Sequence, residues 1–250
     1  MRLLGVVVLL CSTLVTSAPA LALTVCLEGS YPPFGYIAPD GTVQGFNTDI
    51  ARAVCTELNV TCEMVRTEWE QIIPDLLAGQ CDTIIASMAP TPARRESVDF
   101  TSNYYISPST FVARADTGLG PSPEDMRGRT VGVQLATAHQ EIMEKSYPDT
   151  TLKTYATPDE AYRDLAAGRL DAVLGGRVSI LTGFLATPAG SGYSLIGQAK
   201  TAEDIPGAAF AVRKEDIALR DQLSGAIVAL HASGKYQELS KKYFGVDIYE

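Results

Sequence analysis

The residues able to do chemistry are few and scattered. Glu28 follows the apolar run TVCL, and Tyr31 comes three residues later. Trp69 precedes EQIIPDLL, Arg94 sits in PTPARRES, and Thr137 and His139 lie in QLATAH. An arginine presents a planar fork of donors that suits a carboxylate. A lone acid suits an ammonium or guanidinium, and flat aromatic faces suit an aliphatic stem or a cation. This is recognition chemistry. No GxSxG elbow presents a nucleophile, and no glycine-rich loop follows a strand to cradle phosphate. With two histidines far apart and no CxxC spacing, neither a metal nor another cofactor is expected. LDAVLGGRVSI (170–180) adds a question. A strand ending in Gly175-Gly176 brings backbone close to something, or marks a turn that takes no side chain.

Strands alternating with helices must position these residues. TVCLEG, CEMVRTE and DTIIASM read as strands. GFNTDIARAVCTELN between them is a helix, with Asn47 or Thr48 as N-cap, and WEQIIPDLLAGQ is a second helix ending at Gly79. The second half repeats the pattern with TVGVQ, ATAHQEIMEKS, LKTYA, PDEAYRDLAAGR and LDAVLGG. DLLAGQCDTIIA and DLAAGRLDAVLG look like one unit used twice, which suggests two similar lobes. The fold class is α/β, each lobe a mainly parallel sheet flanked by helices. Such sheets bind ligands at the carboxyl ends of their strands, here EGSYPPF, ASMAPTPAR, QLATAH and LGGR.

Composition narrows the partners. The chain has 250 residues and a formal net charge of −9, which argues against nucleic acid or an anionic membrane surface. Residues 1–22 read as a signal peptide, with Arg2, the apolar LLGVVVLLCSTLV and the small-x-small Ala20-Leu21-Ala22. The run is too short for a membrane anchor, so cleavage near Ala22 and export to the periplasm are expected. Export permits disulfides. Cys55 and Cys62 enclose TELNVT, a loop that one bridge can staple, whereas Cys26 and Cys81 read as buried free thiols in strands.

EGSYPPF…GTVQGFNTDIARAVC, WEQIIPDLLAG, DTIIASMAPTPARRESVDFTSNYY, TVGVQLATAH, LAAGRLDAV and KYQELSKKYFGVDIY together resemble the periplasmic amino-acid-binding proteins of ABC importers. The likeness is to those for lysine/arginine/ornithine, histidine and the opines. It runs through the mature chain in order. It implies a type II periplasmic-binding-protein fold: lobe 1 from 23–107 and 206–250, and lobe 2 from 108–205. A hinge at YYISPSTFV and TAEDIPGAAFAV would join them. It also implies that Arg94 holds the ligand α-carboxylate, Tyr31 and Trp69 sandwich its side chain, and Glu28 meets a distal cation. Ser87 and Thr137 would serve the carboxylate and ammonium, with Ala86, Met88, Gln134 and His139 completing the set.

The chain departs from that pattern at Gly176, where relatives carry an aspartate for the α-ammonium. Ala89 and Ala138 likewise replace hydroxyls. Leaving a buried ammonium without its partner costs roughly 3–5 kcal/mol. Either the ligand lacks a primary ammonium, as opines do, or Asp204 or a water substitutes, or binding is weak. Strand alternation points Arg177 away from the cleft. The resemblance therefore implies a monomeric solute receptor for an amino acid or derivative, working with an inner-membrane ABC permease, and not an enzyme. A cyclohexadienyl-dehydratase-like enzyme and a chemosensory module are the alternatives on this fold.

Overall fold

A computed structural model of the chain describes residues 22–201 and 207–249. The expected signal peptide, apart from Ala22, lies outside the described residues, and so does Asp204.

The first sheet is entered by β1 (Ala22–Leu27), followed by a three-stranded ribbon of β2 (Ser30–Tyr31), β3 (Gly35–Ile37) and β4 (Val43–Gln44). Then come α1 (Phe46–Glu57), β5 (Thr61–Arg66), α2 (Ile72–Leu77), β6 (Thr83–Met88), the single turn α3 (Pro92–Arg95) and β7 (Val98–Ile106). The chain crosses to a second sheet at 107–108. There it forms β8 (Ser109–Arg114), the turn α4 (Pro123–Met126), β9 (Thr130–Gln134), α5 (Ala138–Ser146) and β10 (Thr151–Tyr155). After these come α6 (Pro158–Ala166), β11 (Ala172–Gly176), the turn α7 (Arg177–Ser179), a π-helical turn over Ile180–Leu185 and β12 (Tyr193–Gln198). It then returns to the first sheet as β13 (Gly207–Arg213), and closes with α8 (Ile217–Ala232) and α9 (Lys235–Phe244).

The strand orders are β5-β1-β6-β13-β7 and β10-β9-β11-β8-β12. β1 pairs parallel with β5 and β6, while β13 pairs antiparallel with β6 and β7. β9 pairs parallel with β10 and β11, while β8 pairs antiparallel with β11 and β12. Four strands of each sheet thus share a direction, and the reversed one is the strand that follows a crossing. In the first sheet Val25 and Leu27 face α1, α8 and α9, and Cys26 faces α2, as a two-residue strand period requires. The second sheet is covered by α4 and α5 on one face and α6 on the other.

The repeated sequence unit is repeated at atomic detail. α2 ends with Gln80 N–H donating to Asp75 O and Gly79 N–H to Leu76 O; α6 ends with Arg169 N–H to Asp164 O and Gly168 N–H to Leu165 O. Both endings are Schellman closures, with Gly79 and Gly168 at φ 74° and 71°. The aspartate three residues on then anchors the next strand. Thr24 N–H donates to the Asp82 carboxylate at 2.9 Å, and Thr130 N–H to that of Asp171 at 2.8 Å.

Two expectations change. The N-cap of α1 is Gly45, not Asn47 or Thr48, because Phe46 and Asn47 donate their N–H groups to Pro33 O and Phe34 O. Those carbonyls replace a side-chain cap and leave the Asn47 side chain for another task. Cys26 and Cys81 are bonded to each other, and are not free thiols. β1 and β6 are neighbours in parallel register, which brings the two Cα atoms within 5.7 Å across 55 residues of chain. Cys55 and Cys62 form the second bridge, with Cα atoms 5.8 Å apart. Replacing Cys26 and Cys81 together by serine is expected to lower unfolding stability by about 2–4 kcal/mol, read from urea melts. A loss below about 0.5 kcal/mol would show that the bridge adds nothing to burial.

Candidate ligand-binding cleft

The carboxyl ends of β1, β6, β9 and β11 converge on a cleft between the two sheets, with about 830 Å³ of empty space, mouth included. Glu28, Tyr31, Trp69, Ala86, Ser87, Arg94, Gln134, Thr137, His139 and Gly176 all line it, as do Ala89 and Ala138. Met88 does not. It points with Ile84 and Ala86 into the core beneath α2 and is 1% exposed. The cleft is closed by contacts between the two sides: Trp69 Nε1–H to Ala136 O at 3.3 Å, Thr91 Oγ1–H to Glu141 Oε1 at 3.1 Å, and an Arg94 bond to the same Ala136 carbonyl.

One end is built for an anion. Thr91 caps α3, accepting from Arg94 N–H, with Pro92 at the first helical position; this turn starts the Arg94 side chain toward the cleft. Its guanidinium donates to Ala89 O at 2.8 Å and Ala136 O at 2.9 Å and lies 5.2 Å from the Trp69 ring centre. Each terminal nitrogen keeps a second N–H. Burial lowers the Arg94 pKa to about 10, with Glu141 pulling it back up, so the group stays cationic. Beside it, Thr137 caps α5 by accepting from Gln140 N–H, so the Ala138 and His139 amides open the helix at the cleft wall. Burial, and then the Arg94 charge, push His139 down to about 4; it is a neutral imidazole here.

Ser87 is held differently from expectation. Its N–H donates to the Tyr104 hydroxyl at 2.9 Å, that hydroxyl donates to Asn47 Oδ1 at 2.7 Å, and Asn47 Nδ2 donates to Ser87 Oγ at 3.1 Å. This ring consumes the amide that an anion would use. It also fixes Ser87 at φ 57°, a left-handed conformation that a non-glycine residue holds only when its surroundings impose it. Ala136, beyond the end of β9 on the other side of the cleft, also has a positive φ, 56°.

Glu28, 5% exposed, is the one acid among the described lining residues. Its Oε1 accepts from Gln134 Nε2 at 3.4 Å. Burial pushes its pKa up to about 7, opposed by the Gln134 hydrogen bond and helped by the charge of Glu68.

Around Gly176 the wall is neutral. A Cβ added there would lie 3.2 Å from Ser107 Oγ and 3.4 Å from the Tyr31 hydroxyl. Gly176 has φ −65° and ψ 131°, a conformation open to any residue, so backbone geometry does not demand glycine. Ser109, Ser179 and Tyr162 also line the cleft. Arg177 is exposed. Sequence reasoning did not reach Tyr105, Ser107, Ser109, Tyr162 or Ser179. The serines flanking Pro108 carry no motif and arrive only because the chain crosses there.

The chain belongs to the bacterial extracellular solute-binding proteins, family 3, whose model matches residues 23–246. It is 38% identical over 253 residues to the L-arginine-binding protein of Pseudomonas aeruginosa, covering 100% of this chain and 98% of that protein. It is 28% identical over 269 residues to the octopine-binding periplasmic protein of Rhizobium meliloti, covering 91% of each. Among solved structures, an ancestral arginine-binding protein bound to arginine superposes with a TM-score of 0.80 at 29% identity, covering 90% of this chain and 98% of that one. The protein is thus a solute-binding receptor of the amino-acid-binding type.

Proposed function

We propose that this receptor captures an amino-acid derivative whose α-nitrogen is substituted, with an opine as the representative ligand. The α-carboxylate pairs with Arg94 and the amides at the start of α5, and the distal cation meets Glu28. The nitrogen substituent lies against the hydroxyls near Gly176. What carries this reading is the neutral wall there: Ser107, Ser109, Ser179 and Tyr31 offer hydroxyls where a primary ammonium calls for an anion. Similarity to the octopine-binding protein supports it. Similarity to the L-arginine-binding protein favours a second reading, in which the same hydroxyls accept a primary ammonium of free arginine.

The receptor works in the periplasm after removal of residues 1–22 and passes its ligand to an ABC permease. Its lobes, 23–107 with 206–250 and 108–205, close over the ligand. A thermal-shift screen across basic amino acids, opines, betaines and dicarboxylic amino acids tests the ligand class. The largest stabilisation is expected from the opines; a larger one with plain arginine or lysine would transfer the assignment to the second reading. Gly176→Asp is expected to raise affinity for primary amino acids at least about tenfold, since it restores a charge-assisted bond. The added Cβ needs Ser107 Oγ to give by only a few tenths of an ångström. No gain would mean that the ammonium is handled elsewhere. Glu28 is the one acid among the described lining residues that could serve dehydratase chemistry, and no turnover of prephenate is expected.

A further inference from the structure

Gln134 is the last residue of β9, 9% exposed, and it reaches across the cleft to Glu28 on the other sheet. Its side-chain orientation is determined, because Nε2 also donates at 3.2 Å to the Ala156 carbonyl, which can only accept. The amide oxygen therefore points away from Ala156. Among the described residues no protein donor bonds to that oxygen, yet it is not one of the buried atoms left unsatisfied. It is a solvent-reachable acceptor on a residue that lines the cleft. The Glu28 carboxylate is in a similar condition, since among the described residues its one hydrogen bond is the long contact from Gln134.

We infer that Gln134 and Glu28 form a two-sided acceptor clamp that selects a guanidinium over an ammonium at the distal end of the ligand. The inference rests on the placement of the distal cation at Glu28 proposed above. The carboxylate accepts two N–H groups from one side of the cleft, and the amide oxygen accepts a third from the other. A guanidinium is planar, with N–H donors directed outward in one plane, and can serve both sides at once. An ammonium directs its three donors from one compact nitrogen, so it spans a shorter distance between acceptors on the two sides than the wider guanidinium fork does. Its stronger hydration also makes it costlier to bury than a guanidinium. Because the two acceptors belong to different sheets, the clamp is complete only when the cleft is closed. Selectivity is thereby tied to closure.

The test is calorimetric titration of the protein with two matched pairs: arginine against lysine, and N2-(1-carboxyethyl)arginine against N2-(1-carboxyethyl)lysine. The guanidino member is expected to bind about 10–100-fold more tightly in whichever pair binds. In Gln134→Met, which keeps the length but removes the acceptor, that ratio is expected to fall to within about threefold. Gln134→Glu, which restores an acceptor, keeps a guanidino preference and guards against a packing artefact in the methionine variant. Equal affinity within each pair, or an unchanged ratio in Gln134→Met, overturns the clamp. If the N-substituted compounds fail while arginine still exceeds lysine, the N-substitution reading falls and the clamp stands. If no compound binds, the amino-acid assignment and the clamp fall together.

Discussion

Arg94→Ala is expected to weaken ligand binding by about 3–5 kcal/mol, a loss on the order of 10²–10⁴-fold in affinity. Arg94 is 9% exposed, faces no acid within ion-pairing distance among the described residues, and spends one N–H on each side of the cleft, at Ala89 O and Ala136 O. Removing it leaves the ligand carboxylate without its donor fork and takes away one of the three bonds that hold the cleft closed, so affinity and closure weaken together. Arg94→Lys is expected to recover less than a tenth of the lost affinity. One ammonium cannot satisfy two carbonyls and a bidentate carboxylate, although the charge is kept. Calorimetric titration reads both variants, and circular dichroism verifies that they are folded. An alanine variant within tenfold of the parent would move the carboxylate away from Arg94.

Glu28→Gln is expected to stabilise the ligand-free protein at neutral pH by about 3 kcal/mol while abolishing tight binding of a cationic ligand. The sign follows from burial. Between the ordinary value of 4.5 and the raised value of about 7, the folded state holds a proton that the unfolded state has released. Stability therefore falls as pH rises through that window and is level above it. His139 works in the opposite sense, because its pKa is lowered from 6.5 to about 4 and its contribution to stability rises with pH over that interval. In the parent the two slopes largely cancel between about pH 4.5 and 6.5. In Glu28→Gln the histidine slope stands alone, so stability drops as the solution is acidified. Melts at several pH values test this through the difference between parent and variant, which should be near zero at pH 4.5 and largest at pH 7. A difference independent of pH would mean that Glu28 titrates normally. Binding of a cation requires the ionised carboxylate, so affinity in the parent should fall about tenfold for each pH unit below 7.

The parts of this molecule that follow local rules could be read from its residues. Two copies of a helix, a glycine stop and an aspartate-led strand are visible in DLLAGQCDTIIA and DLAAGRLDAVLG, because capping and strand entry depend on neighbours in sequence. The cleft residues at strand ends were legible for the same reason, since direction and alternation place them. What escaped is long-range. Cys26 and Cys81 gave no hint of pairing because their contact depends on β6 lying beside β1. Met88 lies at a strand end that opens on the cleft, but strand alternation turns its side chain inward with Ile84. Ser107, Ser109 and Ser179 are unremarkable as sequence and become a neutral wall only after the chain has crossed between sheets. Asn47 resembled a helix cap until backbone carbonyls took that task and freed its amide for Ser87 and Tyr104.

The position of β13 has a consequence for the order in which this molecule can be assembled. β13 lies between β6 and β7, yet it is separated from them in the chain by the whole second sheet. Until residue 213 is available, β6 exposes one unpaired edge, β7 has no strand beside it, and the core they share with α2 is missing Ala209 and Ala211. The second sheet runs from 109 to 198 without interruption and has every strand it needs before then. As the chain emerges from its N-terminus, the half that starts later is finished first. The half bearing Glu28 and Arg94 waits for it, held meanwhile by local helices and by the Cys55–Cys62 loop.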